Sequence, residues 1–180
     1  EYAKDLSETV LTYGLELLAV GMATEKLQLL SKVGLEQRRF TVNKLQDGEH
    51  WNVGVYGRYF FGSANHEIMT GAQLAGGQAD FKGYSSRSVE PSVRLRFNLP
   101  YDTYITSHAV LRHERYATPA TGLETDDRKD NHWRLGAGVG WDITRSLSLG
   151  VQYEYIKNYS NSELYQYRQD MVTTTMTLNF

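Results

Sequence analysis

Residues 171–180 read Met171-Val172-Thr173-Thr174-Thr175-Met176-Thr177-Leu178-Asn179-Phe180. From Val172, one parity holds Val172, Thr174, Met176, Leu178 and Phe180, and the other holds Thr173, Thr175, Thr177 and Asn179. Successive side chains of an extended strand point to opposite faces. The stretch therefore reads as a strand with an apolar and a polar face, carried to the last residue of the sequence.

The same alternation runs backward through the sequence. Trp133, Leu135, Ala137, Val139 and Trp141 alternate with Arg134, Gly136, Gly138, Gly140 and Asp142. Leu147, Leu149, Val151, Tyr153 and Tyr155 alternate with Ser148, Gly150, Gln152 and Glu154. Val89, Val93, Leu95 and Phe97 alternate with Glu90, Ser92, Arg94 and Arg96. Nine strands are expected, over 9–21, 27–42, 49–61, 66–82, 88–98, 103–116, 131–142, 147–158 and 165–180. The first is ambiguous between strand and helix. Leu11, Leu15, Leu18 and Met22 also fit a helical stripe, although Gly14 and Gly21 count against a stable helix.

The turns fall into two classes. Those at 22–26, 62–65, 99–102 and 143–146 are tight, whereas 43–49, 118–130 and 158–164 are longer and more polar. The classes alternate along the chain, as an up-and-down meander requires; the short connection at 83–87 is the exception. Ala23-Thr24-Glu25-Lys26-Leu27 and Ile143-Thr144-Arg145-Ser146-Leu147 echo one another at equivalent turns. Gly76-Gly77 inside the fourth strand reads as a bulge or bend.

The chain has 180 residues, enough for one domain over 1–180. It has no cysteine, which excludes a disulfide scaffold and thiolate metal sites. Its net charge of −2 gives no basic field for nucleic acid. No segment approaches the roughly 18 consecutive apolar residues of a membrane helix. A membrane barrel stays hidden from such a scan, because only alternate residues of its strands face lipid.

An apolar face that ends on a C-terminal Phe resembles the last strand of bacterial outer-membrane β-barrels. The resemblance implies an all-β, antiparallel up-and-down transmembrane barrel of about eight to ten strands in this chain, with lipid against the apolar face. It also puts Phe180 on the periplasmic side, with short turns there and long loops outside. Nine strands then leave residue 1 on the external side, whereas complete bacterial barrels have even strand numbers. Two readings stay open. The sequence is the C-terminal part of a larger barrel, or residues 1–22 are a helix and eight strands remain.

Trp133 and Trp141 share a face and lie roughly 26 Å apart along a strand at about 3.3 Å per residue. Tilted near 40°, that is roughly 20 Å along the membrane normal, close to the ~25 Å apolar band of such barrels. Aromatic side chains with a polar tip collect at both membrane interfaces. Trp51, Tyr153, Tyr155 and Tyr159 fit the outer girdle region; Tyr59, Phe61, Phe97, Trp141 and Phe180 fit the inner one. A soluble sandwich with an aromatic core is the competing reading.

The opposite parity carries Lys32, Glu36, Arg38, Arg58, Glu90, Arg94, Arg96, Arg112, Glu114, Arg134, Asp142 and Glu154. These are expected to line the lumen. They either plug a narrow barrel with ion pairs or line a watery pore and bias what passes. Arg94 and Arg96 form a small positive ladder suited to anions such as uronic sugars or phosphates. The five histidines offer no shared metal face: His108 and His113, five apart, point to opposite sides. Ser107-His108 and His113-Glu114 are likewise not dyads, because adjacent strand residues diverge. No segment matches the motifs of outer-membrane lipid A deacylases, phospholipases or omptin proteases. No enzyme activity, cofactor or metal is expected.

Several stretches together resemble the β-barrel porins associated with exopolysaccharide or exosortase loci in Gram-negative bacteria. They are Ser86-Arg87-Ser88-Val89-Glu90-Pro91-Ser92, Arg128-Lys129-Asp130-Asn131, Asp142-Ile143-Thr144-Arg145-Ser146-Leu147-Ser148-Leu149, Tyr153-Glu154-Tyr155, Tyr159-Ser160-Asn161, Tyr165 and Tyr167. Gly34-Leu35-Glu36-Gln37-Arg38-Arg39-Phe40 resembles an earlier strand of the group, and the likeness covers about two-thirds of the chain. It implies an outer-membrane location, passage or export of saccharide, and contact with lipid and lipopolysaccharide. Polysaccharide-export components are implied as further partners. It also implies that the barrel-assembly machinery reads the terminal strand through Tyr165, Met176, Leu178 and Phe180, by strand addition. The alternative function is a small closed barrel that anchors surface loops or serves as an adhesin.

Overall fold

The computed structural model describes residues 10–41, 44–80, 84–117, 127–144 and 146–178; Phe180, the central residue of the expected insertion signal, lies outside them. Nine strands follow one another: β1 (Val10–Met22), β2 (Leu27–Phe40), β3 (Gly48–Phe61), β4 (His66–Ala79), β5 (Ser86–Leu99), β6 (Thr103–Tyr116), β7 (Lys129–Asp142), β8 (Leu147–Ser160) and β9 (Tyr167–Leu178). They form one sheet in the order of the sequence, every neighbouring pair antiparallel, with β1 and β9 at its edges. No second sheet lies against it among the described residues, so the sandwich reading fails.

The first segment is a strand wherever it is described. Its leucine stripe splits between faces, with Leu15 opposite Leu35 and Leu18 opposite Lys32. Pairing of its backbone with β2 along all thirteen residues overrides the helical spacing. Tyr165 is not in the last strand. It ends a single 3-10 turn, Glu163–Tyr165, and β9 starts two residues later. The chain must turn there to bring β9 antiparallel to β8. Gly76 and Gly77 form no bulge either, since β4 keeps an unbroken register with β3. They make room for facing rings. A Cβ would sit 2.9 Å from the Trp51 ring at Gly76 and 2.3 Å from His50 Nδ1 at Gly77.

The two echoing turns are built alike. Thr24 Oγ1 accepts from the backbone N–H of Lys26 (3.3 Å) and Leu27 (3.0 Å); Thr144 Oγ1 accepts from those of Ser146 (3.2 Å) and Leu147 (3.0 Å). A threonine that bonds its own backbone two and three residues on specifies such a turn locally. The β5–β6 turn instead uses Tyr101 and Asp102 at φ 61° and 54°.

The strands are staggered. The paired residues Val20, Leu30, Tyr56, Gly71, Ser92, Val110, Arg134, Ile156 and Gln169 trace one straight path across the sheet. The path enters near the tight-turn end of β1 and leaves near the long-loop end of β9. A steady stagger of this kind is the shear that tilts strands in a barrel wall.

No apolar side chain is buried among the described residues; the buried side chains are Arg128, Asp130, Asn158 and Ser162. One face is continuously apolar and exposed, through Leu35, Val53, Leu74, Val93, Leu111, Leu135, Val151 and Val172. The other is polar and half-enclosed, as in a sheet curled toward that face.

Candidate functional site on the charged face

The parity of the strands gathers every residue expected to line a lumen onto the half-enclosed face. Lys32 and Arg38 come from β2, Arg58 from β3, and Glu90, Arg94 and Arg96 from β5. Arg112 comes from β6, Arg134 and Asp142 from β7, and Glu154 from β8. Glu36 and Glu114 share that face. They share one face because no strand changes register across the sheet.

Most of these charges meet one another. Lys32 Nζ lies 2.7 Å from Glu16, Arg112 Nε 2.7 Å from Glu90, Arg96 Nη2 3.7 Å from Asp142, and Arg58 Nε 3.9 Å from Glu67. Arg38 pairs with Glu36 two residues back on the same strand. Glu154 serves two partners, His108 Nε2 at 3.0 Å and Arg134 Nε at 3.9 Å. Glu114 accepts from Ser86 Oγ at 2.6 Å and lies 3.7 Å from His132. Glu16, Glu67, His108 and His132 are thus parts of the network that residue type alone left out. Fixing the register is what reveals them.

Arg94 and Arg96 do not act as an equal ladder. Arg96 is engaged on three sides: its Nε donates to Asn98 Oδ1 at 2.8 Å, its guanidinium lies 3.7 Å from the Tyr104 ring centre, and Asp142 approaches it. Arg94 forms no ion pair among the described residues and stands opposite His108. It opens into a depression of about 460 Å3, also lined by Glu67, Tyr104, Thr106, Gln152 and Glu154. Glycines on β7 admit the rings beside it: a Cβ at Gly136 would lie 2.2 Å from His108, and one at Gly140 2.1 Å from Tyr104. The depression offers a fixed positive charge, carboxylates, an amide and hydroxyls, all groups that can exchange hydrogen bonds with a polyhydroxylated or anionic solute.

At the long-loop end the same face closes over a buried clamp. The Arg128 guanidinium sits between the rings of Tyr116 (3.6 Å) and Tyr165 (3.7 Å) and bonds Asp130 at 2.8 Å. Asn158 Nδ2 donates to the Tyr165 carbonyl at 2.6 Å, tying the 3-10 turn to β8. Tyr165, expected to signal insertion, is therefore a packing partner of Arg128. Met176 and Leu178 project from the apolar face of the edge strand β9 and are exposed.

The aromatic set Trp51, Tyr59, Phe97, Trp133, Trp141, Tyr153 and Tyr155 shares the apolar face. Tyr153 lies midway along β8 opposite Ala137, where its hydroxyl donates to Asp170 of β9. His113 faces the apolar side and His108 the polar one, as the spacing requires. Among the described residues, no group of three or more His, Cys, Asp or Glu side chains could hold a metal ion.

Comparison with protein-family models, with curated proteins and with solved structures finds no match to this chain.

Proposed function

We propose that this chain forms the wall of an outer-membrane β-barrel, with its apolar face on lipid and its charged face on an aqueous lumen through which a polar solute passes. The observation that carries the reading is the segregation of the two faces. Among the described residues no apolar side chain is buried, and the exposed apolar face carries Trp and Tyr at both ends of its strands. Water would penalise so large an exposed apolar surface; lipid removes the penalty. The strand stagger supports closure into a barrel. The depression around Arg94, with its mixed donors and acceptors, supports a saccharide as the solute. Lipopolysaccharide, the assembly machinery and polysaccharide-export components belong to this proposal as partners.

One observation favours a second reading. Ion pairs between strands occupy much of the charged face, as in a narrow barrel filled by its own side chains. Such a barrel would anchor surface loops and pass nothing. Single-channel recording of the refolded protein in planar bilayers separates the two. Discrete conductance steps are expected of a channel. An inserted but silent protein would overturn the passage reading in favour of the anchor.

A further inference from the structure

We propose that the apolar face carries a binding site for an anionic, phosphate-bearing lipid at its long-loop end, formed by Arg87, Arg115 and Lys129. The inference rests on the reading of that face as lipid-facing and names a lipid for one place on it. Arg87 of β5 stands directly opposite Arg115 of β6, and Arg115 directly opposite Lys129 of β7. All three are exposed, and none forms an ion pair among the described residues. Like charges held opposite one another in a sheet repel. The charged face solves that problem with carboxylates; this row has none.

The row is oriented. Arg115 Nε donates to His113 Nε2 at 3.1 Å, and His113 Nδ1 lies 2.7 Å from Asn131 Oδ1. A neutral imidazole that accepts at Nε2 and donates from Nδ1 satisfies both contacts, leaving the remaining guanidinium N–H groups of Arg115 for a ligand. A depression of about 670 Å3 there is lined by Trp51, Arg87, His113 and Arg115. A second, of about 530 Å3, runs along the apolar face, lined by Val89, Pro91, Leu111, Trp133 and Tyr159. Val89 and His113 line both, so the basic end and the apolar trough are continuous. A cationic head site running into an apolar trough fits one molecule with a phosphate at one end and an acyl chain at the other. A soluble anion would leave the trough empty, and a zwitterionic lipid would leave the row uncompensated.

The test uses the whole chain reconstituted in phosphatidylcholine vesicles that contain brominated phosphatidic acid or brominated phosphatidylcholine. Quenching of Trp51 and Trp133, which flank the site, reports lipid occupancy. Brominated phosphatidic acid is expected to quench at a lower mole fraction than brominated phosphatidylcholine. In Arg87→Gln/Arg115→Gln/Lys129→Gln the preference should fall about fivefold per charge removed. Arg87→Lys/Arg115→Lys should retain most of it, and Lys26→Gln, which removes one positive charge in a tight turn at the far end, should leave it intact. Equal quenching by both lipids in the unaltered protein would overturn the site while leaving the membrane reading standing. No quenching by either would overturn both. Displacement of phosphatidic acid by millimolar inorganic phosphate would overturn the lipid as occupant.

Discussion

Val93 and Arg94 are neighbours on β5 and sit on opposite faces of the sheet. Val93 belongs to the apolar face, four residues from Val89 and four from Phe97. Arg94 belongs to the charged face and opens into the depression beside His108 and Glu154. The two faces differ in how a charge is accommodated, not merely in polarity. On the charged face a guanidinium finds a carboxylate, a tyrosine ring or solvent. On the apolar face Arg168 meets Asp170 at the β8–β9 edge, but the residues directly opposite Val93 are Thr70 and Ala109, and neither carries a charge.

Exchanging the two residues, Val93→Arg with Arg94→Val, breaks that difference without changing composition. The exchange is expected to cost about 2–4 kcal/mol of stability in lipid vesicles, the penalty of a basic residue at the middle of a lipid-facing strand. Arg94→Val alone should cost less than about 1 kcal/mol, because that side chain holds no ion pair among the described residues. Denaturant titration of vesicle-reconstituted protein measures both. Equal losses from the exchange and the single change would mean that the apolar face does not meet lipid.

The pairing on the charged face can be tested within that face. Glu154 meets His108 at 3.0 Å and Arg134 at 3.9 Å, and its side chain is only 14% exposed. Glu154→Gln keeps the shape and removes the charge. A loss of about 1–3 kcal/mol is expected from leaving the partners uncompensated. If the face lines a channel, the same substitution shifts selectivity toward anions, read as the reversal potential in a salt gradient.

How much of this was legible from residue order follows from what alternation can and cannot encode. The nine strands lie within a few residues of their expected places, because period-two patterning and turn residues are local signals. The division of charged from apolar residues was legible for the same reason, once the parity of each strand was known. What stayed hidden depended on register between strands. Glu16 was invisible as the partner of Lys32 while β1 could still be read as a helix. The stack of Arg128 between Tyr116 and Tyr165 joins a β6 end, a β7 start and a 3-10 turn, three places no spacing rule connects. The row of Arg87, Arg115 and Lys129 exists only as cross-strand pairs; along the sequence these are three unrelated basic residues.

The smallest expected effect gives the sharpest comparison, because it sets one residue type against both faces at adjacent positions. Gly76 lies under Trp51 on the apolar face, and Gly77 lies under His50 on the charged face. An alanine Cβ at Gly76 would meet the Trp51 ring at 2.9 Å, and Trp51 is 41% exposed. That ring can lift into fluid surroundings, so Gly76→Ala is expected to cost less than about 1 kcal/mol, partly offset by the lower backbone entropy of the unfolded chain. At Gly77 the Cβ would meet the imidazole at 2.3 Å, on the enclosed side of the sheet where displaced rings have less space. Gly77→Ala is therefore expected to cost about 1–3 kcal/mol, the usual range for overpacking. Thermal melts of the two variants in the same lipid measure the difference. An equal cost would mean that the two faces are equally open around β3 and β4, and that the curl of the sheet toward its charged side is absent there.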